Sequence, residues 1–443
     1  MATLTEKYGP YPGYKPSGAD WLGDVPAHWE VKRLKYSAPL RNDKLGNKPE
    51  DVAYVGLENI EPWTGKLLLD YQPDSVDSTV VTFAPGDVLF GKLRPYLAKV
   101  AHPDFEGTAT SEVLVMRPLE DCSQSYLAYC LLNAPYIRWI DTLTYGAKMP
   151  RVSPDEVACS FIPLPPLPEQ QAIAAFLDRE TARIDALVSK KERLMELLQE
   201  KRTALITRAV TRGLDPDASV KDSGVEWLGE IPAHWEVKRL KHLAGKVGSG
   251  KTPKGGAERY VDDGVMLLRS QNVHFGELRL ADVAYIDTDT DEEMAGSRVL
   301  EGDVLLNITG ASLGRSCVAR LRGKDANVNQ HVCILRPNQQ QDEPEFLAYS
   351  VESRSLQDQI FNNENGVSRD ALNFEQIGDL VFARPAKNEQ LAIAAFLDQE
   401  TGKLDSLIAK IREAIERLRE LRSALISAAV TGRIDVREEA ECQ

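Results

Sequence analysis

The segment Gly245–Thr252, GKVGSGKT, fits the phosphate-loop pattern GxxxxGK[ST] at every specified position; taken alone, it would set Lys251 on nucleotide phosphates and Thr252 on magnesium. Such a loop works only between a buried strand and a helix that opens directly after it, because backbone amides and the helix N-terminus hold the anion. Here the polar run VKRLKHLA precedes it and PKGGAERY follows, with Pro253, Gly255 and Gly256 unsuited to a helix. The expectation is a flexible basic loop facing the phosphates of a nucleic acid. Other catalytic patterns are absent: HExxH, GxSxG, GxGxxG after a strand, and the Asn or Asp with Pro-Pro and an aromatic of adenine methyltransferases. His28 and His234 have no second ligand at a useful spacing, so they read as packing residues and no metal site is expected.

The chemistry that remains is recognition. Arg, Lys, Asn and Gln held at turns can make paired hydrogen bonds to base edges. One block of the chain offers Lys92 and Arg94 in FGKLRPY, then Lys148 and Arg151 in YGAKMPRVS. A later block offers Lys251, then Arg269, Gln271 and Asn272 in LRSQNV, Asn307 and Arg315 around NITGASLGR, Asn329 and Gln330 in NVNQHV, and Arg369 in GVSRD. Each alone is an ordinary solvated side chain; grouped at strand ends in both blocks, they form a candidate DNA-binding set.

The elements that must position them are written twice. SGADWLGDVPAHWEVKRLK at Ser17 returns 206 residues later as SGVEWLGEIPAHWEVKRLK, and EQQAIAAFLDRETARIDALV at Glu169 returns 220 residues later as EQLAIAAFLDQETGKLDSLI. The difference in offset falls in the blocks between arm and helix, which also differ in text. In those blocks VAYVGLENI, GDVLFGKL and SEVLVMRPL answer to VMLLRSQNV, GDVLLNITG and HVCILRP, and each set precedes a helix-like stretch and a last strand. That skeleton predicts two diverged copies of one α/β domain.

Apolar residues at alternating steps of three and four mark Leu177, Ile184, Leu187, Leu194, Leu198 and Leu205, then Leu397, Leu404, Leu407, Ile411, Leu418, Leu421 and Leu425. This heptad stripe predicts two long helices, 168–212 and 388–432, that pack lengthwise on one another. Pro168 suits a first turn, Asn388 an N-cap, and Gly213 and Gly432 the two stops. Helices of this length span roughly 65 Å, against roughly 34 to 36 Å between half-sites one turn of DNA apart. Four of the six tryptophans lie in the two arms, as Trp21, Trp29, Trp227 and Trp235, where large amphipathic rings dock an arm onto a helix or a neighbouring domain.

A chain of 443 residues with 43% hydrophobic and 27% charged residues reads as two to four soluble globular domains. The start lacks a basic-then-apolar signal, no apolar run approaches a membrane span, and the six cysteines show no CxxC spacing, so the cytoplasm and reduced thiols are expected. The net charge of −14 is the main objection to a nucleic-acid role. Whole-chain charge does not describe one face, however, and a chain that binds DNA weakly alone would rely on partners for phosphate contacts.

The doubled WLGxxPAHWEVKRLK arm, the Pro-rich strand running into PEQ, and EQxAIAAFLDxET followed by RxALIxxAVT resemble the specificity subunit of type I restriction-modification systems over nearly the whole chain. The second helix departs from the pattern, with ARPAKNEQ in place of IPLPPLPEQ. The resemblance implies an α/β (α+β) fold with two globular target-recognition domains, joined by two long helices in an antiparallel coiled coil, and a pseudo-twofold internal repeat. It implies an N-terminal arm at 1–36, recognition domains at 37–167 and 243–387 that each read half of a split, asymmetric site in double-stranded DNA, a linker with the repeated arm at 213–242, and a tail at 433–443. It further implies helices that act as spacer and as docking surface for DNA methyltransferase subunits, expected as two copies, with restriction or translocase subunits beyond them. Methyl transfer to adenine N6 from S-adenosylmethionine, and the use of ATP with Mg, would then belong to partner subunits and not to this chain. The rival reading is a non-enzymatic coiled-coil adaptor joining two protein-binding domains; an enzyme working through GKVGSGKT is the third.

Overall fold

In a computed structural model, the described residues are 2–46, 48, 51–69, 78–253, 255–362 and 371–440. The two periodic segments form helices α1 (Leu167–Arg212) and α2 (Lys387–Val430). Each ends where Gly213 and Gly432 turn left-handed, at φ +71° and +70°. A side chain at Gly432 would also run into Pro26, 2.3 Å from an added Cβ. Asn388 is not the N-cap expected of it: α2 begins at Lys387, so Asn388 lies inside the first turn. Both helix starts are fixed by a buried glutamine instead. Gln170 donates to the carbonyls of Pro165 and Asp121 and accepts from Ser123 N, all at 2.8 Å; Gln390 repeats the pattern with Pro385 at 3.0 Å and Glu343 N at 2.8 Å.

The chain divides into two compact units, Met1–Glu192 with Glu413–Gln443, and Arg193–Arg412. These boundaries cut both helices, where the sequence reading had set the helices apart as segments of their own. The reason is core sharing. In the first unit Ile173, Phe176, Leu177 and Ile184 of α1 share one apolar core with Leu425, Ile426 and Val430 of α2, and with Trp29 of the arm. In the second, Ile206, Ala209 and Val210 of α1 join Ile393 and Leu397 of α2 around Trp235.

The helices run antiparallel within each unit, and the same ion pair recurs at the repeat offset. Asp185 meets Arg422 at 2.9 Å in the first, and Arg202 meets Asp405 at 2.9 Å in the second. The expected leucine stripe is only partly the seam. Leu177, Ile184, Leu397, Ile411 and Leu425 are buried and Leu198, Leu205, Leu404 and Leu418 half-buried, but Leu187, Leu194, Leu407 and Leu421 are 42 to 45% exposed. Thr181, Ile408, Ile415 and Arg422 are buried in their place, because the apolar stripe of a helix is wider than one packing seam and polar residues fill part of that seam.

In the first unit, strands β1 (Val88–Gly91) and β2 (Val113–Met116) are the middle of an antiparallel sheet flanked by Leu40–Arg41 and Val100–Ala101. All four residues of β1 are buried because the sheet is covered on both faces. Leu89 points to a second sheet through Val55, Val81 and Ala109, while Val88 and Phe90 meet the helices Gln124–Leu132 and Ala134–Thr142. The second unit repeats the plan with β3 (Val304–Asn307) and β4 (Val332–Pro337) between Ala244–Ser249 and Ser316–Val318. Its second sheet has five strands, with Val265–Leu268 parallel to Ala326–Val328. The Asp of each GDV motif is buried on arginine: Asp87 on Arg41 at 3.0 Å and on Arg117, Asp303 on Arg336 at 2.7 Å.

Each arm pairs its EVKR strand with the strand that leads into a long helix, Glu30–Arg33 with Phe161–Leu164 and Glu236–Arg239 with Val381–Arg384. Its tryptophan is fully buried and donates from Nε1 to the glutamate of the helix's first turn, Trp29 to Glu169 at 2.8 Å and Trp235 to Glu389 at 3.0 Å. His28 and His234 bind the other oxygen of the same carboxylates, at 2.8 and 3.0 Å. Among the described residues no helix is long and apolar enough to cross a membrane.

Candidate nucleic-acid interface

In the first unit the candidate DNA-binding residues gather where β1 ends. Lys92 continues the strand, donating its N–H to Glu112 O and accepting from Val152 N, both at 3.0 Å. Leu93 bridges to Arg151, and Tyr145 and Arg151 exchange backbone bonds of 2.9 Å, so residues 145–151 form a hairpin beside residues 92–97. Lys148 sits at the exposed tip of that hairpin, and Arg94 is exposed on the adjoining turn. Among the described residues the side chains of Lys92, Arg94 and Lys148 meet no hydrogen-bond or ionic partner. Arg151 differs: Glu112 binds its Nε and Nη2, each at 3.2 Å, so its fork is engaged within the fold. Nearby Lys99 is turned inward onto Leu57 O, and burial pulls its ammonium below the ordinary value.

Sequence reasoning missed three large side chains beside these cations: Tyr96, Tyr145 and Met149, 43, 62 and 49% exposed. An apolar ring left in water on a turn, next to unpaired cations, is the signal that could have found them. Stacking on bases and contact with phosphates need that combination.

In the second unit the same strand ends carry different chemistry. Ala244–Ser249, the strand of the phosphate-loop motif, is half exposed and stops at Gly250. A Cβ there would fall 1.5 Å from Val328 O, so this glycine serves a close backbone approach. Among the described residues no α-helix opens after it; the next element is the short 3₁₀ turn Gly256–Arg259, so the helix N-terminus that a phosphate loop needs is not supplied there. Lys251 is exposed. Next to it Thr252 donates to the exposed Gln330, whose amide meets His331 at 2.9 Å, and His331 in turn meets Thr309 Oγ1 at 2.7 Å. His331 and Thr309 were missed, and Thr252 was read only within the phosphate-loop pattern, because no single motif holds all three. They meet only through the pairing of β3, β4 and the bridge from Thr309 to Ala371.

Two expected base readers are scaffold. Asn272 is 1% exposed, accepts from Arg269 N and donates to Arg279 O, both at 2.9 Å, closing a tight turn. Asn307 is fully buried and donates to Ser270 O at 2.8 Å. Arg269 is half-buried, bonded to Asp282 O at 2.7 Å and set over the Tyr260 ring. Gln271 is exposed, and Arg315 and Asn329 are half-buried, Asn329 bonded to His331 N at 3.1 Å. Arg369 lies outside the described residues. No group of His, Cys, Asp or Glu among the described residues could hold a metal ion.

A family model described as the type I restriction modification DNA specificity domain matches residues 78–196 and 232–417. The chain is 26% identical over 320 residues to the type I restriction enzyme EcoBI specificity subunit of Escherichia coli, covering 69% of this chain and 65% of that protein, slightly under two thirds of its length. It is 24% identical over 434 residues to the type I restriction enzyme MjaVIII specificity subunit of Methanocaldococcus jannaschii, covering 93 and 94%. A solved chain from the complex assembly of a type I R-M system shares the fold with a TM-score of 0.69 at 19% identity, over 92% of this chain and 98% of that one.

Proposed function

Because the chain belongs to the type I restriction modification DNA specificity family, we propose that it is the subunit that selects the DNA target, reading a split, asymmetric site with one half per globular unit. The carrying observation is a scaffold built twice with different side chains around its strand ends: Lys92, Arg94, Lys148 and two exposed tyrosines in one copy, Lys251, Thr252, Gln330 and His331 in the other. Two equal readers would bind a palindrome; two unequal ones select an asymmetric sequence. The long helices act as the spacer and offer exposed leucines for methyltransferase subunits, two per chain by the repeat. Catalysis, with S-adenosylmethionine and with ATP and Mg, lies in those and in restriction subunits. The net charge of −14 fits this division of labour, since partners then supply much of the phosphate contact.

The test is a genome-wide map of N6-methyladenine in the host with the gene present, deleted, and restored with residues 37–167 exchanged for another such block. Deletion is expected to erase one split motif, and the exchange to change one half of it. A map indifferent to the gene, or an exchange that rewrites both halves, overturns the reading.

A further inference from the structure

The turn after β1 and the turn after β3 are one piece of backbone used twice. Both are closed by the same bond, Gly91 N to Lys99 O and Asn307 N to Arg315 O, each 2.8 Å. Both need left-handed backbone at the same two places. In the second unit those places are Gly310 and Gly314, at φ +68° and +82°. In the first they are Arg94 and Ala98, at +51° and +46°.

An arginine in this region is strained where a glycine is not, and a following proline, here Pro95, further disfavours anything but extended backbone at the residue before it. The position is over-determined from outside: Arg94 N donates to Pro150 O at 2.7 Å and Arg94 O accepts from Leu97 N at 2.9 Å. Its side chain returns nothing to the fold. It is exposed, and among the described residues no carboxylate or carbonyl meets it, whereas Arg41, Arg117, Arg151 and Arg422 of the same unit all sit on carboxylates. Those backbone bonds hold the turn left-handed whatever the side chain is, so an arginine where glycine would be unstrained, with its fork unengaged by the fold, points to a contact outside the chain.

We propose that Arg94 is a base-reading residue of the first recognition domain, aimed at a guanine edge in double-stranded DNA. This rests on the function proposed above. The guanidinium fork matches guanine O6 and N7 with two parallel hydrogen bonds. Lys92 and Lys148 flank it as phosphate contacts, and Tyr145, at the start of the neighbouring hairpin, gives a flat face beside it. In the second domain Gly310 leaves the corresponding point of the turn bare, so that domain reads through Gln330 and its neighbours.

The test uses the chain assembled with its methyltransferase on duplexes in which each base pair of the mapped target is replaced in turn, comparing wild type with Arg94→Gly and Arg94→Lys. Glycine is the informative substitution because it removes the fork while relieving the backbone. In wild type, replacing one guanine of the half-site read by residues 37–167 is expected to weaken binding about ten- to a hundredfold. In Arg94→Gly the same replacement costs nothing further and every other position keeps its penalty, and the purified variant melts at the wild-type temperature or above. Arg94→Lys, which keeps charge and loses the fork, also loses discrimination at that position. The proposal falls if Arg94→Gly lowers affinity equally for all duplexes, which is a phosphate contact, if the lost discrimination lies in the other half-site, or if the variant fails to fold. A wild-type complex with no sequence preference at all is a different result: it refutes the specificity function itself, and this proposal with it.

Discussion

Removing the glutamate that anchors each arm should cost the first unit more than the second, although the two anchors are built from the same three residues. In Glu169→Ala, the Nε1 donor of a fully buried Trp29 loses its carboxylate at 2.8 Å, and His28 loses the other oxygen. A hydrogen bond to a charged acceptor contributes about 1.5 to 3 kcal/mol, and a buried donor left alone adds its desolvation. The histidine bond is discounted because His28 is 42% exposed, against 7% for Glu169. The expected loss is about 3 kcal/mol. Glu389 is 31% exposed and His234 59%, so water replaces much of what Glu389→Ala removes, and about 1.5 kcal/mol is expected there. Hydrogen exchange followed by mass spectrometry on the full chain reads both sites separately through peptides covering residues 28–36 and 234–242. At about 1.4 kcal/mol per tenfold, protection should fall by about two orders of magnitude in the first variant and about one in the second. Equal losses, or a larger loss at Glu389, would refute the argument that burial sets the strength of this latch.

Two further outcomes are expected. Asp87 is fully buried; burial pushes its carboxyl up, but Arg117, the Ala84 N–H and Arg41 outweigh that and hold it below the ordinary value. The charged pair therefore adds stability that is complete above the unfolded value of about 3.9 and is lost as the pH falls through the lower folded value. Asp87→Asn should cost about 3 kcal/mol at neutral pH and flatten the acid limb of the stability curve; an unchanged acid limb in denaturant titrations would count against it. Burial also pushes the thiols of Cys122, Cys317 and Cys333 up to about 12, so a thiol reagent at pH 8 should label none of the three until the chain unfolds. Labelling of any of them at the rate of a free thiol would mean that these cores open locally.

The elements were legible in the sequence because they rest on local period. Steps of three and four gave α1 and α2, and GDVLFGKL read as one of the short β-rich runs of an α/β domain. What local period does not carry is which half of one helix shares a core with which half of the other. The boundaries at Glu192 and Arg412 follow from antiparallel pairing and appear in no window of residues. Polarity alone misled at Asn272 and Asn307, since a buried turn needs the same amide that a base edge needs.

The repeat itself separates these cases, by a comparison the sequence permits. Where both copies hold the same polar residue, the structure makes it scaffold. Asn59 and Asn272 each accept from the backbone N–H three residues earlier, at 2.9 Å; Tyr129 and Tyr349 each donate to Asp178 and Asp398 at 2.7 Å; Gln170 and Gln390 tie down the helix starts. Where the copies differ, as in Arg94 against Gly310, Glu112 against His331 and Arg151 against Ala371, the position lies at the strand ends where β1 and β3 leave their sheets. A fold that must be held constant while its target changes confines substitution to such strand ends, where a side chain bonds only to neighbours that also vary, as Arg151 does to Glu112, or to nothing in the fold. Arg94 is the limiting case, with backbone shared by both copies and a side chain that serves only what it meets outside the chain.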